Sequence, residues 1–261
     1  FANRAQGEEK WYAALNNAGK ILGEDYDVYY TNGPSSGVGN GLGGRVTSDA
    51  LAIENYTDML YTSGNLGGYT ISNGDPGGDI SNDVAVLQSW LLMGNKDIFL
   101  TGDDLVTDLV VNDAVGPGID FAQDWMGVAH QYQDVRSFID NQATPVVKSV
   151  VGNPVFENIS SWIAYGGCGQ INTFDGVTTN GDDAVLLAEF TDAGGNTGAY
   201  GFSAATLNFP TAAPTSRVVS MPYDFQYINT DTGAKEDAPL PGRSLVMRHG
   251  LRYFGLPFVP G

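Results

Sequence analysis

At 261 residues with 42% apolar side chains, the chain is long enough to bury a substantial core, which excludes a disordered segment. Its 12 basic and 30 acidic residues give a net charge of −18, which repels phosphate backbones and anionic surfaces and excludes nucleic acid as a partner. No run of about 18 apolar residues occurs, so no transmembrane helix is expected.

Residues 5–22 carry Trp11, Leu15, Ala18 and Leu22 at helical spacing, with Glu8 and Glu9 in the first turn, and predict an amphipathic helix. Tyr26 to Tyr30 reads as a short strand, and the glycine-dense stretch from Asn32 to Gly44 as a surface loop. Ser48 is the expected cap of a short helix through Glu54, followed by a strand from Tyr56 to Thr62. Ser81 is the expected cap of a second helix with Val84, Leu87 and Leu91 on one face, and Asp97 to Leu100 is a compact apolar strand. Helix and strand thus alternate, the pattern of a parallel sheet covered by helices on both faces.

Beyond Phe138 the pattern changes to strands without long helices between them: Val146 to Val151, Ala184 to Phe190, Tyr200 to Ala204 and Arg217 to Phe225. The expected fold is a single α/β domain over residues 1–261. It is doubly wound and mainly parallel, with antiparallel strands added in its C-terminal half. Arg243 to Phe254 reads as a final helix, closed by Gly255 and Pro257.

The order Asp25-Tyr26-Asp27-Val28-Tyr29, Tyr56-Thr57-Asp58-Met59-Leu60, Leu87-Gln88-Ser89-Trp90-Leu91 and Ile98-Phe99-Leu100-Thr101-Gly102-Asp103-Asp104 resembles class I glutamine amidotransferase-like domains of secreted or surface bacterial proteins. Val218-Val219-Ser220-Met221-Pro222-Tyr223-Asp224-Phe225 and the final helix are similar to the closing elements of such domains. The resemblance implies a flavodoxin-like sheet and a catalytic cysteine on the turn after the central strand, with a histidine after a late strand. That turn reads Thr101-Gly102-Asp103-Asp104-Leu105 and the late strand ends Tyr223-Asp224-Phe225-Gln226, so neither residue is present. The resemblance also implies a strand ahead of the first helix. Its absence leads to the expectation that the chain is part of a larger protein or assembly, partnered by other chains or domains.

Two functions follow as expectations. One is a non-catalytic binding or scaffolding domain, extracellular or at the cell surface. The other is an extracellular hydrolase using Asp103 or Asp104, with Asp224 as the partner carboxylate; the same acids also make an ordinary helix cap. Asp75, Asp79 and Asp83 recur through a glycine-rich loop and offer oxygen ligands to calcium, although such residues also cluster in turns for conformational reasons. No other cofactor is implied. Cys168 has no partner for an internal disulfide, and His130 and His249 are expected away from the Asp103 turn. Tyr29, Tyr30, Tyr61 and Tyr69 are candidates for an exposed contact face.

Overall fold

The structure is a computed structural model that describes residues 2–35, 37–112, 116–135, 146–164, 173–192, 195–197, 201–231 and 242–256. Its strands are β1 (Asp58–Thr62), β2 (Asp97–Thr101), β3 (Val128–Tyr132), β4 (Val146–Ser149), β5 (Ser161–Ala164), β6 (Gly176–Thr179), β7 (Ala184–Thr191), β8 (Ser203–Asn208), β9 (Arg217–Met221) and β10 (Ile228–Asp231). They form one ten-stranded sheet in the order β1-β2-β9-β8-β7-β4-β5-β10, with β6 joining β8 and β3 joining β6. The helices are α1 (Ala2–Asn17), α2 (Ser48–Ile53), α3 (Asp83–Leu91), α4 (Leu105–Thr107), α5 (Gly116–Asp120) and α6 (Gly242–Tyr253).

The mixed α/β character agrees with the sequence reading, but the doubly wound, mainly parallel sheet does not. Only β1 with β2 and β2 with β9 pair in parallel; every other pairing among the described residues is antiparallel. The reason lies in the connections. A parallel neighbour needs a long crossover, which α3 supplies between β1 and β2, whereas β7, β8 and β9 follow one another through short links that permit antiparallel pairing alone.

The sheet has two buried faces, and the alternation along β2 shows how one strand serves both. Phe99 joins the cluster of Trp11, Phe156, Trp162, Phe190, Tyr223 and Phe225 under α1 and α6. Ile98 and Leu100 join Leu87, Trp90, Leu91, Leu105 and Phe121 on the opposite side, under α3. A strand covered on both faces reads as a continuous apolar run, as Ile98-Phe99-Leu100 does. Trp11 lies against Phe225 at 4.3 Å between ring centres, and Gly250 of α6 brings that helix onto Phe99, where a Cβ would sit 3.5 Å from the ring.

Several local expectations shift. α1 begins at Ala2, so Glu8 and Glu9 lie within the helix rather than in its first turn, and Leu22 is 52% exposed beyond its end. The cap of α2 is Thr47, whose hydroxyl accepts from the Ala50 N–H at 3.2 Å, and that of α3 is Asn82, accepting from Ala85. Tyr26 to Tyr30 is an irregular connection with one isolated bridge from Leu22 to Tyr26, so β1 forms the edge of the sheet. Cys168, Tyr200 and Pro257 lie outside the described residues.

Candidate functional site

Where β2 ends, Thr101-Gly102-Asp103-Asp104 turns sharply into α4, with Asp104 in the left-handed region at φ +47. Gly102 permits this corner to close, because a Cβ there would stand 1.8 Å from the Ser63 hydroxyl oxygen. The loop after β1 therefore folds onto the corner. The Asp103 N–H donates to the Gly64 carbonyl at 2.9 Å, and Asp108 accepts from the Thr70 N–H at 2.8 Å and its hydroxyl at 3.1 Å.

Asp103 is 2% exposed, and neither of its carboxylate oxygens has a hydrogen-bond partner. Burial raises its pKa well above the usual carboxylate range, and the negative charges of Asp224, Asp104 and Asp175 push it further. Burial raises Asp104 as well, against the pull of Thr173 and Gln133. Asp224 follows β9 on the neighbouring strand end and caps the short helix Phe225–Tyr227, accepting from the Gln226 N–H at 3.2 Å. Burial raises it, while Gln226, Thr62 and Lys10 act in the opposite direction. The structure thus brings Asp103, Asp104 and Asp224 into one acidic corner at the carboxyl ends of the parallel strands.

Sequence reasoning missed its other half. Asp175, just ahead of β6, is fully buried and accepts from the Val106 N–H at 2.7 Å and the Thr107 hydroxyl at 2.6 Å. Burial pushes it up to about 8, with the Thr107 and Val106 hydrogen bonds holding it lower than it would otherwise lie. His130, on β3, meets the same Thr107 hydroxyl through Nε2 at 2.9 Å, and burial lowers its pKa. His130 therefore comes within a few residues of the Asp103 turn, contrary to its expected place in a distant connection. The order is histidine, threonine, aspartate, with the hydroxyl in the middle, so the imidazole does not receive the orienting carboxylate of a nucleophilic triad. No sequence signal marks Asp175 or His130: both reach the corner on strands far along the chain. His249 is buried in α6 and lines a separate groove of about 330 Å³ with Val155, Glu157 and Arg252.

The acids of the proposed calcium loop are engaged by protein. Asp79 accepts from the Asn40 N–H at 3.0 Å and the Ser81 N–H at 2.9 Å. Asp83 accepts from the Leu42 and Gly43 N–H groups at 3.0 and 2.8 Å and from the Tyr61 hydroxyl at 2.9 Å. Asp75 closes its own turn on the Gly77 N–H at 2.9 Å. Together Asp79 and Asp83 fasten the glycine-rich loop to α3, and among the described residues no group of three or more His, Cys, Asp or Glu side chains is placed to hold a metal ion. Gly43 is tightly constrained there, since a Cβ would stand 1.8 Å from the Ser81 carbonyl oxygen.

Of the candidate aromatics, Tyr61 is turned inward by its bonds to Asp83 and Thr70, and Tyr69 is half-buried. Tyr29 and Tyr30 are 39% and 59% exposed, next to exposed Ile21, Leu22 and Val28.

No protein-family model matches the chain, and no curated protein matches it. The structure is similar to the cytoplasmic protein STM3548 from Salmonella typhimurium at 11% identity and a TM-score of 0.43, over 79% of this chain and 74% of that one. It is similar to the mmIFT52 N-terminal domain at 10% identity and the same TM-score, over 82% of each.

Proposed function

We propose that the chain is a non-catalytic binding or scaffolding domain, extracellular or at the cell surface, whose acidic corner is the degenerate counterpart of an amidotransferase-like site. The observation that carries this reading is the exposed apolar row Ile21, Leu22, Val28, Tyr29 and Tyr30, on a segment with no sheet or helix of its own. Aromatic and aliphatic side chains gathered on one surface segment are the composition of a contact face. The corner, by contrast, is poorly furnished for catalysis. Asp103 is covered, and the N–H groups of Asp103 and Val106, which would otherwise serve an oxyanion, are spent on Gly64 and Asp175. The extracellular placement rests on the acid-rich composition alone.

The competing reading, a hydrolase, is favoured by one observation: a carboxyl raised as far as that of Asp103 holds its proton near neutral pH, as a general acid must. Two experiments separate them. A displayed peptide library panned against the chain yields binders that Tyr29→Ser with Tyr30→Ser releases, if the binding reading holds. Turnover of any peptide, amide or glycoside that disappears with Asp103→Asn and Asp104→Asn, at unchanged melting temperature, establishes the hydrolase instead.

A further inference from the structure

β1 bonds to β2 through alternate residues: the Thr57 carbonyl accepts from the Asp97 N–H at 3.0 Å, and the Ser63 N–H donates to the Thr101 carbonyl at 3.1 Å. The backbone groups of Asp58, Leu60 and Thr62 therefore face away from the sheet, and among the described residues no strand pairs with them. Nothing within Asp58–Thr62 blunts this edge, which has no proline, no lysine and no bulge, and Met59, Leu60 and Tyr61 are half-buried. The Tyr56 hydroxyl donates to Asp27 and its ring meets Tyr29 edge-on at 6.1 Å, which ties the segment Tyr26 to Tyr30 to the start of β1. Residues 27–31 make no backbone hydrogen bond among the described residues, and Val28, Tyr29 and Tyr30 present apolar surface. Free ladder groups and an uncovered apolar flank thus adjoin.

We infer that a single extended polypeptide strand, supplied from outside residues 1–261, adds to the free edge of β1 and covers the flank at Val28, Tyr29 and Tyr30. This rests on the binding reading above and names the partner's chemistry. Main-chain pairing supplies attachment in such additions, and alternate side chains supply selectivity. Charge selects the occupant. Glu24, Asp25, Asp27 and Glu54 surround the site, while the nearby cations are engaged, Lys20 with Asp25 at 3.9 Å and Lys96 with the Tyr56 carbonyl at 2.6 Å. A second copy carrying −18 is repelled, and an apolar strand with basic ends is favoured.

The test titrates the isotopically labelled chain with an array of eight-residue peptides, varied in their apolar residues and closed by lysine at both ends. Each peptide is matched by versions N-methylated on alternate residues. At least one peptide is expected to slow amide exchange at Leu60 and Thr62 by on the order of tenfold, and N-methylation in one of the two registers abolishes the effect. Three results overturn the inference: no peptide in the array slows those amides, methylated and unmethylated forms act alike, or sedimentation shows a dimer whose formation protects β1. Library binders that depend on Tyr29 and Tyr30 but leave the β1 amides unchanged sink strand addition while sparing the binding reading. Failure of both leaves neither standing.

Discussion

The corner after β2 and the segment from Ile21 to Tyr30 invert the usual rule in opposite senses. At the corner Asp103, Asp108, Asp175 and Asp224 are each at most 2% exposed, although carboxylates are the groups water holds most strongly. In the segment, Ile21, Leu22 and Tyr30 are more than half exposed, although such side chains gain most from burial. The corner answers its desolvation internally, by retaining protons and by hydrogen bonds from Thr107, Val106, Thr70 and Gln226. The segment has no internal answer, which is why the contact face is assigned there.

The largest test of this contrast is pH. Asp175, Asp103 and Asp224 all have folded pKa values raised above the ordinary carboxylate value, so the folded state binds more protons than the unfolded one. Stability therefore falls as pH rises from about 4 toward 8, on the order of 5 kcal/mol for Asp175 alone given its value of about 8. Denaturant unfolding across that range checks it. A stability that rises with pH breaks the contrast.

Thr107→Val keeps the shape of the side chain and removes the hydroxyl shared by His130 and Asp175. It is expected to cost about 1–3 kcal/mol and to raise the Asp175 pKa further, read by denaturation and by carboxyl infrared absorption. Asp103→Asn removes an ionisable group that has no partner to lose. It is expected to stabilise the chain by more than about 1 kcal/mol at pH 8, with the gain shrinking toward pH 4, since the two side chains are then both neutral. The smallest effect belongs to the segment: Tyr29→Ser with Tyr30→Ser is expected to change stability by no more than about 0.5 kcal/mol, because exposed rings stabilise little in the free chain.

The sequence made legible those elements whose signal is local and repeated. The face Val84, Leu87 and Leu91, the apolar run Ile98-Phe99-Leu100 and the closing helix before Gly255, at φ +87, all lie where the periodicity places them. β3, β5 and β6 did not stand out, since four or five residues interrupted by His130, Ser161 or Thr178 carry little alternation. Strand direction was misread because it depends on the partner and the connection, neither of which is local. Tyr26 to Tyr30 has the composition of a strand without its ladder, which shows that β-propensity describes a fit to a neighbour rather than a backbone preference. At the corner, Asp103, Asp104 and Asp224 were legible because strand ends and turns are. Asp175 and His130 were not, since antiparallel strands fold them back from more than twenty residues away, on the order of the distance that only tertiary contact bridges.

Amide exchange of the free, monomeric chain reads both regions at once. The Asp103, Val106 and Thr70 amides, bonded to Gly64, Asp175 and Asp108, are expected to exchange slowly, and those of residues 27–31, Leu60 and Thr62 close to unprotected rates. Rapid exchange at Asp103 and Val106 together with protection of residues 27–31 would place the open surface at the acidic corner and contradict the account.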